Sequence, residues 1–498
     1  MTDQNEPKFT DTDIVLGFPE NFRWGTATAA FQIEGHPEEY LAKLSDWSKW
    51  IDREDKVLRP TNDGRAVNHY EHMIEDIELM RGMNLDSYRF SFNWARIHKG
   101  PGEFDDNALS FYESLLDQLD QTNKSLDERK GRIEPFATLI HFVIPSWLSD
   151  NGGWENPQTA YEFENFTKKL LEKFGNRITK WITHNEPNIF LGFGYESGIW
   201  PPGKENDWTG YFKAYQGLLL GHQLAYNAIK EFNSNHQVGF AQNLYYYEAQ
   251  TQNDMVPNIV RSQLHNYAFI DACKTMGCLD FLGVNYYTRF SYKLNPEAND
   301  PTREDLKSDF WGELQDMAEL QDGVKKNNLG WELYADGLLK VLSEKKMRDL
   351  LDGIPVYITE NGYCHIEGNE SLDLTGGVQK SEGANDDLDD PYRIQFIKEH
   401  LVAVHKLIES GLDVRGYFYW SLLDNFEWAL GMKPRFGLIH VDHKTFKRTP
   451  KASYHYYAKV CEHNGLVLTK KTPILEEKED TCDTDSGYNV VNEPEKSI

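Results

Sequence analysis

Residues 355–362 read Pro355-Val356-Tyr357-Ile358-Thr359-Glu360-Asn361-Gly362, a short run of β-branched and aromatic residues that ends in a carboxylate and a glycine. Residues 181–187, Trp181-Ile182-Thr183-His184-Asn185-Glu186-Pro187, likewise end a short apolar run in a carboxylate, here followed by a proline. A carboxylate presented where a buried strand opens into a loop is placed for chemistry more readily than for packing. Either motif alone is more often a loop salt bridge or a helix cap than a catalyst. Two in one chain point to a paired-carboxylate site.

Similar runs recur along the chain, eight in all, over residues 22–33, 87–94, 135–142, 181–186, 238–244, 281–287, 355–360 and 416–423. Between them, residues 70–83, 107–119, 161–174, 211–232 and 392–410 carry apolar side chains at three- and four-residue spacing, the period of a helix with one buried face. Strand and helix alternating eight times predict an α/β fold, a single (β/α)8 TIM barrel with long βα loops. The rival, a doubly wound open sheet, calls for a glycine-rich phosphate loop after an early strand. Neither GxGxxG nor GxxxxGK[ST] occurs.

With 498 residues there is room for one such barrel and its loops. The catalytic barrel is expected over residues 1–470, with surface loops at 121–132 and 371–390 and an acidic, unstructured tail at 471–498. The net charge of -27, from 79 acidic and 52 basic side chains, argues against nucleic acid and anionic membranes as partners. No apolar run is long enough to span a bilayer, and the polar N-terminus has no secretory pattern, so a cytoplasmic protein is expected. Five cysteines without CxxC spacing indicate neither a disulfide framework nor a zinc site.

In a barrel of this kind every strand delivers its C-terminal end to one face. Glu186, ending the fourth strand, and Glu360, ending the seventh, would meet there. Joining them are Gln32, Glu34, Arg89, His141, Asn185, Asn285, Tyr287, Trp420, Glu427 and Trp428. Amides, carboxylates and indole faces without a His/Asp metal cluster suit a neutral polyol with one apolar ring face, a sugar. No cofactor or metal is called for.

Cleaving a glycosidic bond requires one carboxyl to stay protonated and the other to be ionised. Arg89 is expected to hold Glu360 ionised, with Tyr287 as a second donor. Glu186 is then the proton donor. Its proton affinity is raised while Glu360 carries charge and falls once that charge is consumed in a covalent bond.

At this point the chain resembles glycoside hydrolase family 1, the β-glucosidase and β-galactosidase family of retaining enzymes, from Phe18 to about Val460. The resemblance rests on FRWGTATAAFQIEG (22–35), YRFSFNWARI (88–97), ATLIHF (137–142), WITHNEPN (181–188), DFLGVNYY (280–287), YITENG (357–362) and WSLLDNFEW (420–428). It implies that Glu186 is the acid/base and Glu360 the nucleophile. It further implies that Gln32, His141, Asn185, Glu427 and Trp428 bind the non-reducing sugar, that Trp420 is its stacking platform, and that Arg89, Asn285 and Tyr287 support the nucleophile.

The family commonly has a tryptophan after the third-strand histidine. This chain has Phe142, closer to the archaeal-like β-glycosidases, which removes an indole donor and leaves open the choice between gluco, galacto, manno and fuco sugars. Phospho-β-glucosidases of the family replace the glutamate and tryptophan of NFEW. Retention of Glu427 and Trp428 favours an unphosphorylated β-glycoside or oligosaccharide substrate, because a carboxylate repels phosphate. A transglycosylase would use the same residues, and a non-catalytic sugar-binding protein would have lost one of the glutamates. Self-association is left open.

Overall fold

The computed structural model describes residues 14–35, 42–53, 56–58, 64–121, 132–294, 315–317, 323–366, 370–372, 378–380 and 388–468. Most of the two loops expected at 121–132 and 371–390, and the tail at 471–498, lie outside them. The chain divides into two units. One is Gly17–Leu466, which holds the barrel and the site; the other joins Met1–Leu16 to Val467–Ile498.

Eight parallel strands close into a barrel: β1 Arg23–Ala27, β2 Ser87–Ser91, β3 Glu134–Ile140, β4 Lys180–Asn185, β5 Gln237–Tyr247, β6 Phe281–Phe290, β7 Val356–Asn361 and β8 Val414–Trp420. Each pairs with its sequence neighbours, and β8 closes on β1 through Gly416↔Arg23 to Trp420↔Ala27. All eight are nearly continuously buried, as strands covered on both faces must be. Phe136, Ile182, Ala241, Phe281, Tyr357 and Phe418 fill the interior.

One principal helix follows each strand: α1 His69–Gly82, α2 Asp106–Asp120, α3 Pro157–Phe174, α4 Trp208–Phe232, α5 Ala268–Thr275, α6 Ala335–Ser343, α7 Pro391–Glu409 and α8 Ala452–His463. In α2, α3 and α4 a polar cap rather than apolar spacing sets the start. Asn156 accepts from the backbone N–H of Gln158 with Pro157 in the first turn, and Asp207 accepts from Gly210 N–H, so α3 and α4 begin several residues before their apolar stripes. Along α3 the buried Phe163, Phe166, Leu170 and Phe174 form the inward face.

The run at 22–33 is not one strand. β1 stops at Ala27, and Ala30–Ile33 turns into a short helix whose first N–H, from Ala30, donates to Ser91 Oγ at 2.8 Å. Gln32 is thereby carried on a helical turn beyond the strand end.

Both glutamates follow a break in the sheet. The pairing register shifts between Ile182 and Asn185 on β4, and between Ile358 and Glu360 or Asn361 on β7. Such irregularities re-aim the side chains that follow them. Glu186 then sits in the left-handed region, at φ 44°, where a non-glycine residue costs about 1–2 kcal/mol. Behind Glu360, a Cβ on Gly362 would lie 1.9 Å from the Trp420 carbonyl oxygen, so β7 and β8 meet there only because the residue is glycine.

Candidate active site

The C-terminal ends of the strands enclose a pocket of about 830 Å3, counted to its open mouth. Its polar groups include His141, Asn185, Glu186, Asn243, Tyr245, Tyr287, Thr288, Glu360 and Glu427; most of the remaining lining is aromatic or aliphatic. A few convergent polar groups in an apolar cleft suit a small ligand.

Glu360 is held by charge. Arg89 Nη1 donates to its Oε1 at 2.6 Å, and the Tyr287 hydroxyl donates to Oε2 at 2.7 Å. Burial keeps Tyr287 protonated and therefore a donor. Burial also pushes the Glu360 carboxyl up, opposed by the Arg89 charge and the Tyr287 hydrogen bond. Arg89 itself is fixed by Thr138 Oγ1, by the Thr359 carbonyl and by Asn185 Oδ1, the last accepting from Nη2 at 2.6 Å.

Among the described residues, no cation pairs directly with Glu186, although the Arg89 charge acts on it from farther off. Its Oε1 accepts two neutral amides, Asn285 Nδ2 at 2.8 Å and Asn243 Nδ2 at 2.9 Å. Burial, together with the charge of Glu360, pushes the Glu186 carboxyl up to about 8, and the two amides oppose this. Asn285, expected beside the nucleophile, gives its hydrogen bonds to Glu186 and to Asn185 Oδ1. Its carbonyl accepts from Thr359 Oγ1 at 2.7 Å, which fixes the direction of the amide. Asn285 also lies near enough to Glu360 to favour its charged form.

Glu427 is the third buried carboxyl. Burial and the charges of Glu360 and Glu186 push it up to about 8. Gln32 Nε2 reaches it at 3.4 Å while also donating to the Phe426 carbonyl at 2.8 Å, and Gln32 Oε1 is buried without a partner. His141 Nε2 accepts from Asn185 Nδ2 at 3.1 Å, so its proton sits on Nδ1, which has no partner. Burial and the Arg89 charge hold His141 neutral.

The ring of His141 lies nearly parallel to those of Trp420 and Trp428, at interplanar angles of 20° and 13°. Phe142, in the left-handed region at φ 68°, packs edge-on against Trp428 and Trp200. Trp200, from the loop after β4, contributes a further indole to the pocket.

The structure brings together Gln32, Arg89, His141, Asn185, Glu186, Asn285, Tyr287, Glu360, Trp420, Glu427 and Trp428. Glu34 is excluded. Its carboxylate is buried against Arg96 Nη1 at 2.6 Å and the Tyr112 hydroxyl at 2.5 Å, because the helical turn after β1 points alternate residues to opposite sides. Asn243 was missed: β5 is the one strand from which no site residue was drawn, although an amide stands near the end of its run at 238–244.

Among the described residues, one group has metal-ligand spacing: His222, Cys273 and Cys278, with ligand atoms within 4.8 Å of one another. It lies outside the pocket. Both His222 nitrogens are engaged, Nδ1 with Thr183 Oγ1 at 2.7 Å and Nε2 with the Cys278 carbonyl at 2.6 Å. No helix of the described residues is long and apolar enough to cross a membrane.

The model of glycosyl hydrolase family 1 matches residues 15–277 and 260–466. Beta-glucosidase A of Thermotoga maritima is 31% identical over 91% of this chain and 99% of its own. A 6-phospho-beta-glucosidase of Bacillus subtilis is 29% identical over 90% of this chain and 98% of its own. A solved beta-glucosidase from Thermotoga maritima, in complex with glucoimidazole, superposes with a TM-score of 0.76 at 31% identity, covering 91% of this chain and 100% of that one. The chain belongs to glycosyl hydrolase family 1 and is a β-glycosidase.

Proposed function

We propose that the protein is a retaining β-glycosidase that removes non-reducing terminal β-D-glycosyl residues from unphosphorylated glycosides or oligosaccharides. The observation that carries this reading is the unequal treatment of two carboxyls. Glu360 has a buried guanidinium at 2.6 Å, whereas Glu186 has only amides. The first proton lost from the pair therefore leaves Glu360, and Glu186 keeps its own.

In the first step Glu360 attacks the anomeric carbon while Glu186 passes its proton to the departing oxygen. The new ester bond removes the Glu360 charge that raised the Glu186 carboxyl. Glu186, now more acidic, takes a proton from water as that water's oxygen attacks the anomeric carbon and the ester breaks. The sugar leaves with its original β configuration.

Glu427, Gln32, His141 and Asn185 offer hydroxyl-binding groups, with the Trp420 and Trp428 indoles beside them for the apolar ring face. No lysine or arginine stands among the described residues lining the pocket, and Glu427 would oppose a phosphate. The test is hydrolysis of a panel of aryl β-glycosides, 6-phosphoglucoside included, with the first-formed anomer followed by NMR. A β product from the unphosphorylated glycosides is expected. An α product, or turnover of the 6-phosphate alone, contradicts the reading.

A further inference from the structure

We propose that Asn243 is a positioning residue for the acid/base step: its amide ties down one oxygen of Glu186 and leaves the other to exchange the proton with substrate. The inference rests on the acid/base role proposed above for Glu186.

Three observations converge. First, Asn243 and Asn285 stand opposite each other in the β5–β6 register, and both aim Nδ2 at the same atom, Glu186 Oε1. A carboxyl oxygen that accepts two N–H donors is a poor seat for a proton, so the proton belongs on Oε2. No hydrogen bond from the described residues reaches Oε2, which leaves it free for the glycosidic oxygen and then for water.

Second, the two amides are held differently. Asn285 is anchored through Thr359 and also touches Asn185, the partner of Arg89, so it belongs to the network around Glu360 as well. Among the described residues, the side chain of Asn243 has Glu186 as its single hydrogen-bond partner. Asn243 also lines the pocket, so the position of the Glu186 limb in a pH profile, and not the size of the rate alone, is what reports its action through Glu186.

Third, Asn243 Oδ1 is buried without a partner among the described residues. A buried acceptor left unpaired costs stability, and an aliphatic side chain of similar volume would avoid that cost. What the position gains from an asparagine is the donor. The same donor favours the charged form of Glu186, ahead of Asn285 in its effect. It therefore helps most when Glu186 must act as a base.

In glycosylation the Oε2 proton moves to the glycosidic oxygen as that C–O bond breaks. In deglycosylation Oε2 receives the proton of a water whose oxygen bonds the anomeric carbon as the bond to Glu360 breaks.

The test compares pH profiles of kcat/KM on an unactivated alkyl β-glucoside for the wild type, Asn243→Leu and Glu186→Ala, with folding checked by thermal denaturation. In Asn243→Leu the alkaline limb is expected to move up by about half to one pH unit, since the proton on Glu186 loses a competitor. The acidic limb, which belongs to Glu360, is expected to stay in place. With a good leaving group, kcat at pH 7 should fall several-fold as deglycosylation slows. An alkaline limb that does not move in a folded Asn243→Leu overturns the inference. Should that variant fail to fold, Asn243→Ala is read in the same way. Glu186→Ala separates the two levels: a limb that survives it refutes the acid/base role itself, whereas a limb that vanishes there yet stands still in Asn243→Leu refutes only the role of Asn243.

Discussion

Arg89 Nη1 lies 2.6 Å from Glu360 Oε1, with both side chains almost wholly removed from solvent. A buried ion pair of this kind is costly to leave half-made, roughly 3–5 kcal/mol when one partner is removed. Arg89→Met should therefore raise the Glu360 carboxyl further. Because the attacking group must be ionised, the acidic limb of the kcat/KM profile moves to higher pH, and activity at pH 6 falls by about 100-fold or more. A pH–rate profile checks both.

Leaving-group dependence separates the two glutamates. Glu186→Ala is expected to lose about 10²–10⁴-fold on alkyl glycosides and much less in the glycosylation of a dinitrophenyl glycoside, whose departing oxygen needs little protonation. Glu360→Gln should be inactive on both. Pre-steady-state rates across a series of leaving groups provide the measurement. Equal losses on all substrates in Glu186→Ala would remove it from the acid role.

The site is bought at the expense of stability above neutral pH. Glu186 and Glu427 each have an ordinary value of 4.5 and are pushed up to about 8 in the folded chain. Groups raised in this way favour the folded state below pH 4.5 and progressively lose that contribution as pH rises towards 8. Glu186→Gln, which mimics the protonated acid, should stabilise the protein by at least about 1 kcal/mol at pH 8 and by little at pH 4. Chemical denaturation at the two pH values tests this.

Behind Glu427 and Trp428, the buried Asp424 accepts from Lys451 Nζ and from Gly437 N–H, both at 2.9 Å. Although burial pushes its carboxyl up, the charges of Lys451, Arg435 and Arg393 prevail and hold it down at about 2. The stability this provides is present above pH 3.8 and is lost as pH falls towards 2. Lys451→Met should cost about 3 kcal/mol at pH 7, seen in a denaturation curve. The loosened segment should also raise KM more than it lowers kcat.

The sequence was most legible where a residue's place follows from a strand end. Arg89, His141, Asn185, Glu360 and Trp420 lie on or beside runs whose period and composition mark them as barrel strands, so the topology alone carries them to one mouth. Gln32 and Glu34 were harder. Apolar and aromatic residues that recur through Ile33 hide the turn after Ala27, and the separation of these residues depends on a helical turn fixed by Ser91. Helix starts were misplaced because capping residues such as Asn156 and Asp207 are polar and lie outside the apolar period. The bond from Asn285 to Glu186 and the role of Asn243 depend on which way an amide points. That direction is set by Thr359 and by Glu186 itself, contacts distant in the chain.

The most direct test of the account is to trap its covalent intermediate. Incubation with a 2-deoxy-2-fluoro-β-glucoside bearing a good leaving group, followed by peptide mass spectrometry, should find one fluoroglucosyl adduct, on the carboxylate of Glu360. Rapid turnover with release of an α sugar and no adduct, or an adduct on Glu186 or Glu427, would contradict it.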